Sequence, residues 1–156
     1  MVVCRRQLKG TLMKKNKYTF IDLFAGIGGI RLGFESTKQC KCVFSSEWDK
    51  DAQRTYEAKH GPVDAGDITK VDPSSIPDFD ILTGGFPCQP FSSIGKREGF
   101  EHPTQGTLFF YIQKILNEKK PRAFLLENVP GLVTHRDGAT LQTIRDVLRN
   151  ELDYTT

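Results

Sequence analysis

Cys88 stands between two prolines in the run Gly84-Gly85-Phe86-Pro87-Cys88-Gln89-Pro90-Phe91-Ser92-Ser93. Pro87 and Pro90 fix their own φ and push Phe86 and Gln89 towards extended geometry, so this is a stiff loop, neither helix nor central strand. It holds a thiol in one place. The thiolate is the nucleophilic form, and no helix starts at Cys88 to lower its pKa, so activation has to come from neighbouring groups. A cysteine beside a turn is otherwise an ordinary buried thiol, but two glycines and two flanking prolines favour a reactive role. Two further stretches hold chemistry. Glu127-Asn128 closes the apolar run Ala123 to Leu126, where the pair is either an acid with its orienting amide or a plain turn. Ala25-Gly26-Ile27-Gly28-Gly29 is a glycine turn, the kind that aims backbone N–H groups of a following helix at a ligand.

The elements that position these groups alternate. Tyr18 to Phe24 reads as a first strand, followed by the glycine turn and a helix from near Ile30 to before Lys38. Lys41 to Ser46 is a second strand, with Cys40 and Cys42 at its start. It ends in Glu47-Trp48-Asp49, about where Rossmann-like domains place a ribose-binding carboxylate. Glu47 takes that role, and Trp48 is either a flat platform for adenine or core packing. The dinucleotide pattern G-x-G-x-x-G fails because Arg31 occupies the third glycine position, which counts against a nicotinamide cofactor. A helix over Asp51 to His60 stops at Gly61-Pro62, with His60 as a cap. Val63 to Ala65 is a short third strand, and Gly66-Asp67-Ile68-Thr69 turns off its end. Phe79 to Thr83 is the fourth strand, Gly106 to Lys119 a helix with Leu108, Phe109, Ile112, Ile115 and Leu116 on one face, and Ala123 to Leu126 a fifth strand. A last helix carries Leu141, Ile144, Leu148 and Leu152, and Tyr154-Thr155-Thr156 reads as the start of another strand. Such alternation implies a parallel sheet with right-handed crossovers and a ligand beyond the carboxyl ends of the strands.

The chain has 156 residues, 38% of them hydrophobic, which suits one globular domain. No apolar run approaches the roughly 18 residues of a membrane span, and no secretory signal is visible, so the expected location is the cytoplasm. The net charge of +3 is uneven: six Lys and Arg precede Tyr18 with no acid among them, and without them the rest is at −3. Residues 1–17 therefore form a basic arm, suited to DNA phosphates or to plain solvation. Residues 1–12 show no pattern, and Met13 is the expected start. Cys40-Lys41-Cys42 is weak evidence for metal, and none is expected.

Three stretches, Phe20 to Glu35, Gly84 to Ser92 and Glu127-Asn128-Val129, together resemble the ordered motifs of the C5-cytosine DNA methyltransferases. The resemblance runs from about Tyr18 to the last residue. It implies an α/β, Rossmann-like S-adenosylmethionine-dependent methyltransferase fold with strand order 3-2-1-4-5, counted from Tyr18, truncated before the last strands. It implies S-adenosyl-L-methionine as cofactor, held by Phe24, Ala25, Gly26, Gly28, Gly29, Glu47, Trp48, Asp67, Ile68, Pro87 and Leu108, with Asp67 on the adenine amino group. It also implies double-stranded DNA with a flipped cytosine as substrate, nucleoid association in a bacterium, and Gln89, Ser92, Lys96 and Arg97 as DNA contacts. The same four residues also suit a solvated loop.

In this family reading Cys88 adds to C6 of cytosine, because C5 is too poor a nucleophile while the ring stays aromatic. Glu127 stabilises charge at N3, and Asn128 orients the site. Its place after Phe124, Leu125 and Leu126 predicts partial burial of Glu127, which would raise its pKa and keep a proton available. The chain departs from the family at Tyr111, where an acid is common, and at Pro103-Thr104-Gln105, where an arginine is common. The family pattern continues with a target-recognition domain and a C-terminal segment, so the expectation is an N-terminal half that needs a complementing C-terminal subunit. The alternative is an inactive S-adenosylmethionine-binding fragment. In either case the strand from Ala123 is expected to be an open edge.

Overall fold

The computed structural model describes residues 18–87 and 108–156, together with the backbone of 2–5. A sheet of five strands runs in the order β1-β5-β4-β2-β3, where β1 is Val2–Arg5, β2 Tyr18–Leu23, β3 Cys40–Ser46, β4 Ile81–Gly85 and β5 Ala123–Glu127. β2 pairs in parallel with β3 and with β4, and β4 in parallel with β5. This is the expected 3-2-1-4-5 order in four of its strands. The third, at Val63 to Ala65, is reduced to a single bridge between Ser46 and Ala65.

Two expectations are corrected at the N-terminus. β1 lies antiparallel on β5, with Val2 opposite Leu126 and Arg5 opposite Ala123. Residues 1–12 are therefore not patternless, and β5 is not an open edge. The unpaired backbone groups on its outer side need partners, and a four-residue strand with two leading valines supplies them.

The helices are α1 (Gly29–Ser36), α2 (Lys50–His60), α3 (Leu108–Lys119), α4 (Gly131–Thr134) and α5 (Ala139–Asp146), the last continuing as a π turn over Val147–Glu151. α2 begins on Asp49, whose carboxylate accepts from the N–H of Asp51 (3.0 Å) and Ala52 (2.7 Å). It ends at Gly61, φ +79°. Tyr154 is buried, packs its ring edge-on against Phe124 at 5.1 Å, and donates its hydroxyl to the Pro121 carbonyl at 2.8 Å. Among the described residues no helix is long and apolar enough to cross a membrane.

A bulge in β3 decides which side chains face which way. Phe20 pairs with Cys42 but Ile21 pairs with Phe44, so Val43 is an extra residue in the strand. Phe44 therefore joins Ile21, Leu23, Leu82, Phe124 and Leu126 in the apolar cluster with α3 and α5. Phe20, Asp22, Ser45 and Thr83 face the other way, towards α1 and α2: Phe20 packs on Phe34 of α1 at 5.1 Å, and Tyr56 of α2 hydrogen-bonds Ser45.

Candidate active site

β2 delivers the chain into a turn that needs left-handed backbone. Phe24, Gly26 and Gly28 have φ of 55°, 55° and 86°. Three hydrogen bonds hold it: Ala25 N–H to the Ser46 carbonyl (3.0 Å), Gly28 N–H to the Ala25 carbonyl (2.9 Å), and Gly26 N–H to Glu47 Oε2 (2.7 Å). The other carboxylate oxygen of Glu47 accepts from Asp49 N–H at 2.7 Å. Glu47 thus joins the carboxyl ends of β2 and β3 with its side chain at the turn. Gly28, the N-cap of α1, has no side chain to bond the first-turn N–H groups, which leaves positive potential at this helix end.

The other residues expected to hold a cofactor lie around this turn or close by. Trp48 is 71% exposed and Ile27 64%, so neither is core packing. Ala25 is buried, and Gly29 is exposed. Asp67 caps the 3-10 turn Ile68–Lys70, accepting from Thr69 N–H (3.0 Å) and Thr69 Oγ (2.7 Å). The Thr69 hydroxyl holds the Asp67 carboxyl below its usual range. Ile68 is buried in the core, which leaves only its backbone for a ligand. Leu108 is half-buried against the core, and Pro87 is exposed.

The carboxyl ends of β4 and β5 meet beside the turn. Gly84 pairs with Leu23 on one side and Leu126 on the other, and Gly85 pairs with Glu127. A Cβ on Gly85 would come within 3.2 Å of Glu127 Oε2, so the carboxylate lies against the end of β4. Asn128 donates its amide to the Phe86 carbonyl at 2.6 Å and accepts from Val129 N–H at 2.9 Å. With donor and acceptor ends both used, the amide has one orientation and pins Phe86 to the end of β5. The predicted burial of Glu127 is corrected: the residue is exposed. It is the last residue of β5, so its apolar neighbours within the strand say nothing of its own solvation. Cys88, Gln89, Ser92, Lys96 and Arg97 lie outside the described residues.

Beneath the turn is a polar layer that the sequence reading did not assemble. Asp22 is fully buried, accepts from Thr83 Oγ at 2.8 Å, and is pushed up to a pKa of about 6 by burial. Arg31 donates to Tyr56 Oη (2.8 Å) and Glu35 Oε1 (3.2 Å). Burial opposes its charge, but these partners lift its pKa overall. Burial also raises the Tyr56 hydroxyl, and takes the Cys42 thiol to about 11, an inert form. One signal was readable: an aspartate inside the otherwise uncharged strand Tyr18–Leu23. Arg31 was read only as a failed glycine. His60, read as a helix cap, is also corrected: its side chain is 5% exposed and lies in this layer. Among the described residues no group of three or more His, Cys, Asp or Glu side chains could hold a metal ion.

A parallel α/β sheet with a glycine turn after its first β-α strand, and an acid from the next strand bonded into that turn, defines a Rossmann-like nucleotide-type site. The comparisons narrow the class. The family model for C-5 cytosine-specific DNA methylase matches residues 18–156, and the chain belongs to that family. It is 60% identical over 134 residues to the type II methyltransferase M.BsuFI of Bacillus subtilis, covering 86% of this chain and 32% of that protein. With M.HaeII of Haemophilus aegyptius it shares 61% identity over 139 residues, 89% of this chain and 43% of that one. The crystal structure of S. pombe Dnmt2 methyltransferase superposes with a TM-score of 0.66 at 25% identity, over 86% of this chain and 42% of that one. The chain spans about a third of the length of M.BsuFI and of M1.ScrFI of Lactococcus lactis.

Proposed function

We propose that this chain supplies the catalytic part of a DNA (cytosine-5-)-methyltransferase, which moves a methyl group from S-adenosyl-L-methionine to C5 of cytosine. The observation that carries it is one shared rim. The glycine turn after β2, the Gly84 to Pro87 segment leading to Cys88, and Glu127-Asn128 end on adjacent strands, with about 10 Å between β2 and β5.

The residues present fit the donor. The open first-turn N–H groups of α1 suit a carboxylate, Glu47 is fixed where ribose hydroxyls can reach its remaining lone pairs, and Trp48 offers an exposed flat face to adenine. Phe24, Ala25, Gly26, Gly28, Gly29, Asp67, Ile68, Pro87 and Leu108 complete the proposed pocket. When bound, the donor supplies an electrophilic methyl group.

In this reading the Cys88 thiolate forms a bond to C6 while Glu127, open to solvent at the rim, relays a proton to N3, so ring electrons move to C5 without building a full negative charge. C5 then takes the methyl group. Loss of the C5 proton to a base and of the N3 proton back to Glu127 breaks the S–C6 bond and restores the ring. Standing exposed at the rim, Glu127 can meet a base that has left the duplex, and Asn128 keeps the Phe86 carbonyl, two residues before Cys88, in register with it. Extruding the base costs a few kcal/mol, which contacts from Gln89, Ser92, Lys96 and Arg97 to double-stranded DNA would offset. Full activity requires the remaining length of the relatives, in the same chain or as a complementing C-terminal subunit, and the work is done in the cytoplasm on nucleoid DNA.

Duplex DNA carrying 5-fluorocytosine tests this. Incubated with S-adenosylmethionine and this chain together with a C-terminal complement, it is expected to give a covalent adduct that Cys88→Ser abolishes and Glu127→Gln slows by about 10²-fold or more. No adduct in any combination, while calorimetry still registers cofactor binding, would leave only a cofactor-binding fragment.

A further inference from the structure

His60 ends α2 just before Gly61-Pro62, yet its ring points under the glycine turn. It packs on Tyr56 with ring centroids 4.9 Å apart. On its other side is Gly28, where an added Cβ would fall 2.6 Å from Cδ2 and 2.7 Å from Nε2 of the imidazole. The ring fills the space a side chain at Gly28 would need. Its Nε2 is buried without a hydrogen-bond partner, and its Nδ1 stands 3.9 Å from Glu35 Oε2. A buried polar atom left unpaired costs free energy, so what the imidazole contributes here is its shape and the absence of charge.

We propose that His60 is a positioning residue for the glycine turn: the neutral ring, wedged beneath Gly28, sets the curve of Gly26 to Gly29, and protonation of the ring releases it. The proposal rests on the turn being the donor site, as argued above, and adds that donor affinity falls as the medium becomes acidic.

The groups facing the imidazole give the sign. Arg31 and Glu35 come from α1, Tyr56 and Lys59 from α2, and the Gly28 backbone from the turn. Burial first, then Arg31 and Lys59, lowers the pKa of His60 below its ordinary value, with Glu35 and the Gly28 backbone opposing. Glu35 is already engaged by Arg31 at 3.2 Å, so a second cation in this layer is poorly matched. The simplest relief is for a charged ring to move towards water, which withdraws support from Gly28. Asp22 lies in the same layer with Arg31, Glu35, Thr83 and Cys42 around it, and burial pushes its carboxyl up to about 6, inside the pH range of the test below. It needs its own control.

The test uses amide hydrogen exchange in the ligand-free chain. Gly26, Gly28 and Leu32 are the reporters, because their N–H groups bond Glu47, Ala25 and Gly28 respectively; Leu82 and Phe124 in the sheet report global opening. His60→Ala is expected to speed exchange at the three reporters about tenfold with the sheet amides unchanged, and His60→Phe, which keeps a ring of similar size, to restore them. Between pH 7.5 and 5.5, after correction for intrinsic exchange, the wild type and Asp22→Asn are expected to loosen at the reporters and His60→Phe to stay flat. Uniform acceleration across turn and sheet, failure of Phe to rescue, or a pH response that disappears in Asp22→Asn instead would overturn the proposal. Should His60→Ala not fold, the pH comparison of wild type with His60→Phe decides alone. Calorimetry with S-adenosylmethionine on the same proteins separates the two readings. A wild type that binds nothing defeats the donor site while the exchange data still judge the wedge; binding that is equal in all variants and at both pH values defeats the wedge alone.

Discussion

The two faces of the sheet are made of different materials. Under α3 and α5, Ile21, Leu23, Leu82, Phe109, Ile112 and Leu116 are all at 0% exposure in one apolar cluster. Under α1 and α2 the sheet presents Asp22, Ser45 and Thr83, equally buried, to Arg31, Glu35, Tyr56 and His60. No residue of α1 is fully buried, and a cleft of about 430 Å³ lies beside it, bounded by Ile30, Phe34 and Leu125. Apolar burial is strong but without direction, whereas hydrogen-bonded polar groups fix orientation. The difference teaches that cohesion comes from one side of the sheet and the shape of the ligand turn from the other.

Core truncation should separate the faces most widely. Phe109→Ala is expected to cost about 3–5 kcal/mol in urea unfolding, and Phe34→Ala, half-buried beside the cleft, about 1 kcal/mol. Equal costs would erase the contrast. The next effect belongs to Asp22. Its folded pKa of about 6 lies above the ordinary 3.8, so the native chain binds the proton more tightly than the unfolded one. Stability should therefore fall as pH rises from about 4 to 6, by about 3 kcal/mol, and stay lower above that. Asp22→Asn should flatten this slope in unfolding curves taken across the range; an unchanged slope would move the titration to another group. The smallest effect is that of Tyr56→Phe, which takes a partner from both Arg31 and Ser45 and should cost about 1 kcal/mol at pH 7. A neutral result would mean that water substitutes for the hydroxyl and that the polar layer is looser than its hydrogen bonds imply.

Much of the apolar face was legible because it repeats: Phe109, Ile112 and Leu116 sit at helical spacing in one segment, and Ile144 and Leu148 in another. The rim was legible too, since the ends of parallel strands must come together once their order is set. The polar face was not. Arg31 lies on α1, far in sequence from Tyr56 and His60 on α2, and meets them only through packing of one helix on the other, which leaves no local period. β1 is four residues long, below the length at which strand patterning becomes visible. The burial expected of Glu127 failed for a different reason: a run of apolar neighbours describes the middle of a strand, not the residue that steps off its end.

The surplus residue in β3 gives that strand some slack. Were Val43 deleted, Cys42 and Phe44 would become consecutive and still stand opposite Phe20 and Ile21, so every later residue, Glu47 included, would keep its present side. Removing one residue from the middle of β2 has no such reserve: it would turn Asp22 into the oily layer and carry a leucine into the charged one. Of two neighbouring strands, one can lose a codon and the other cannot.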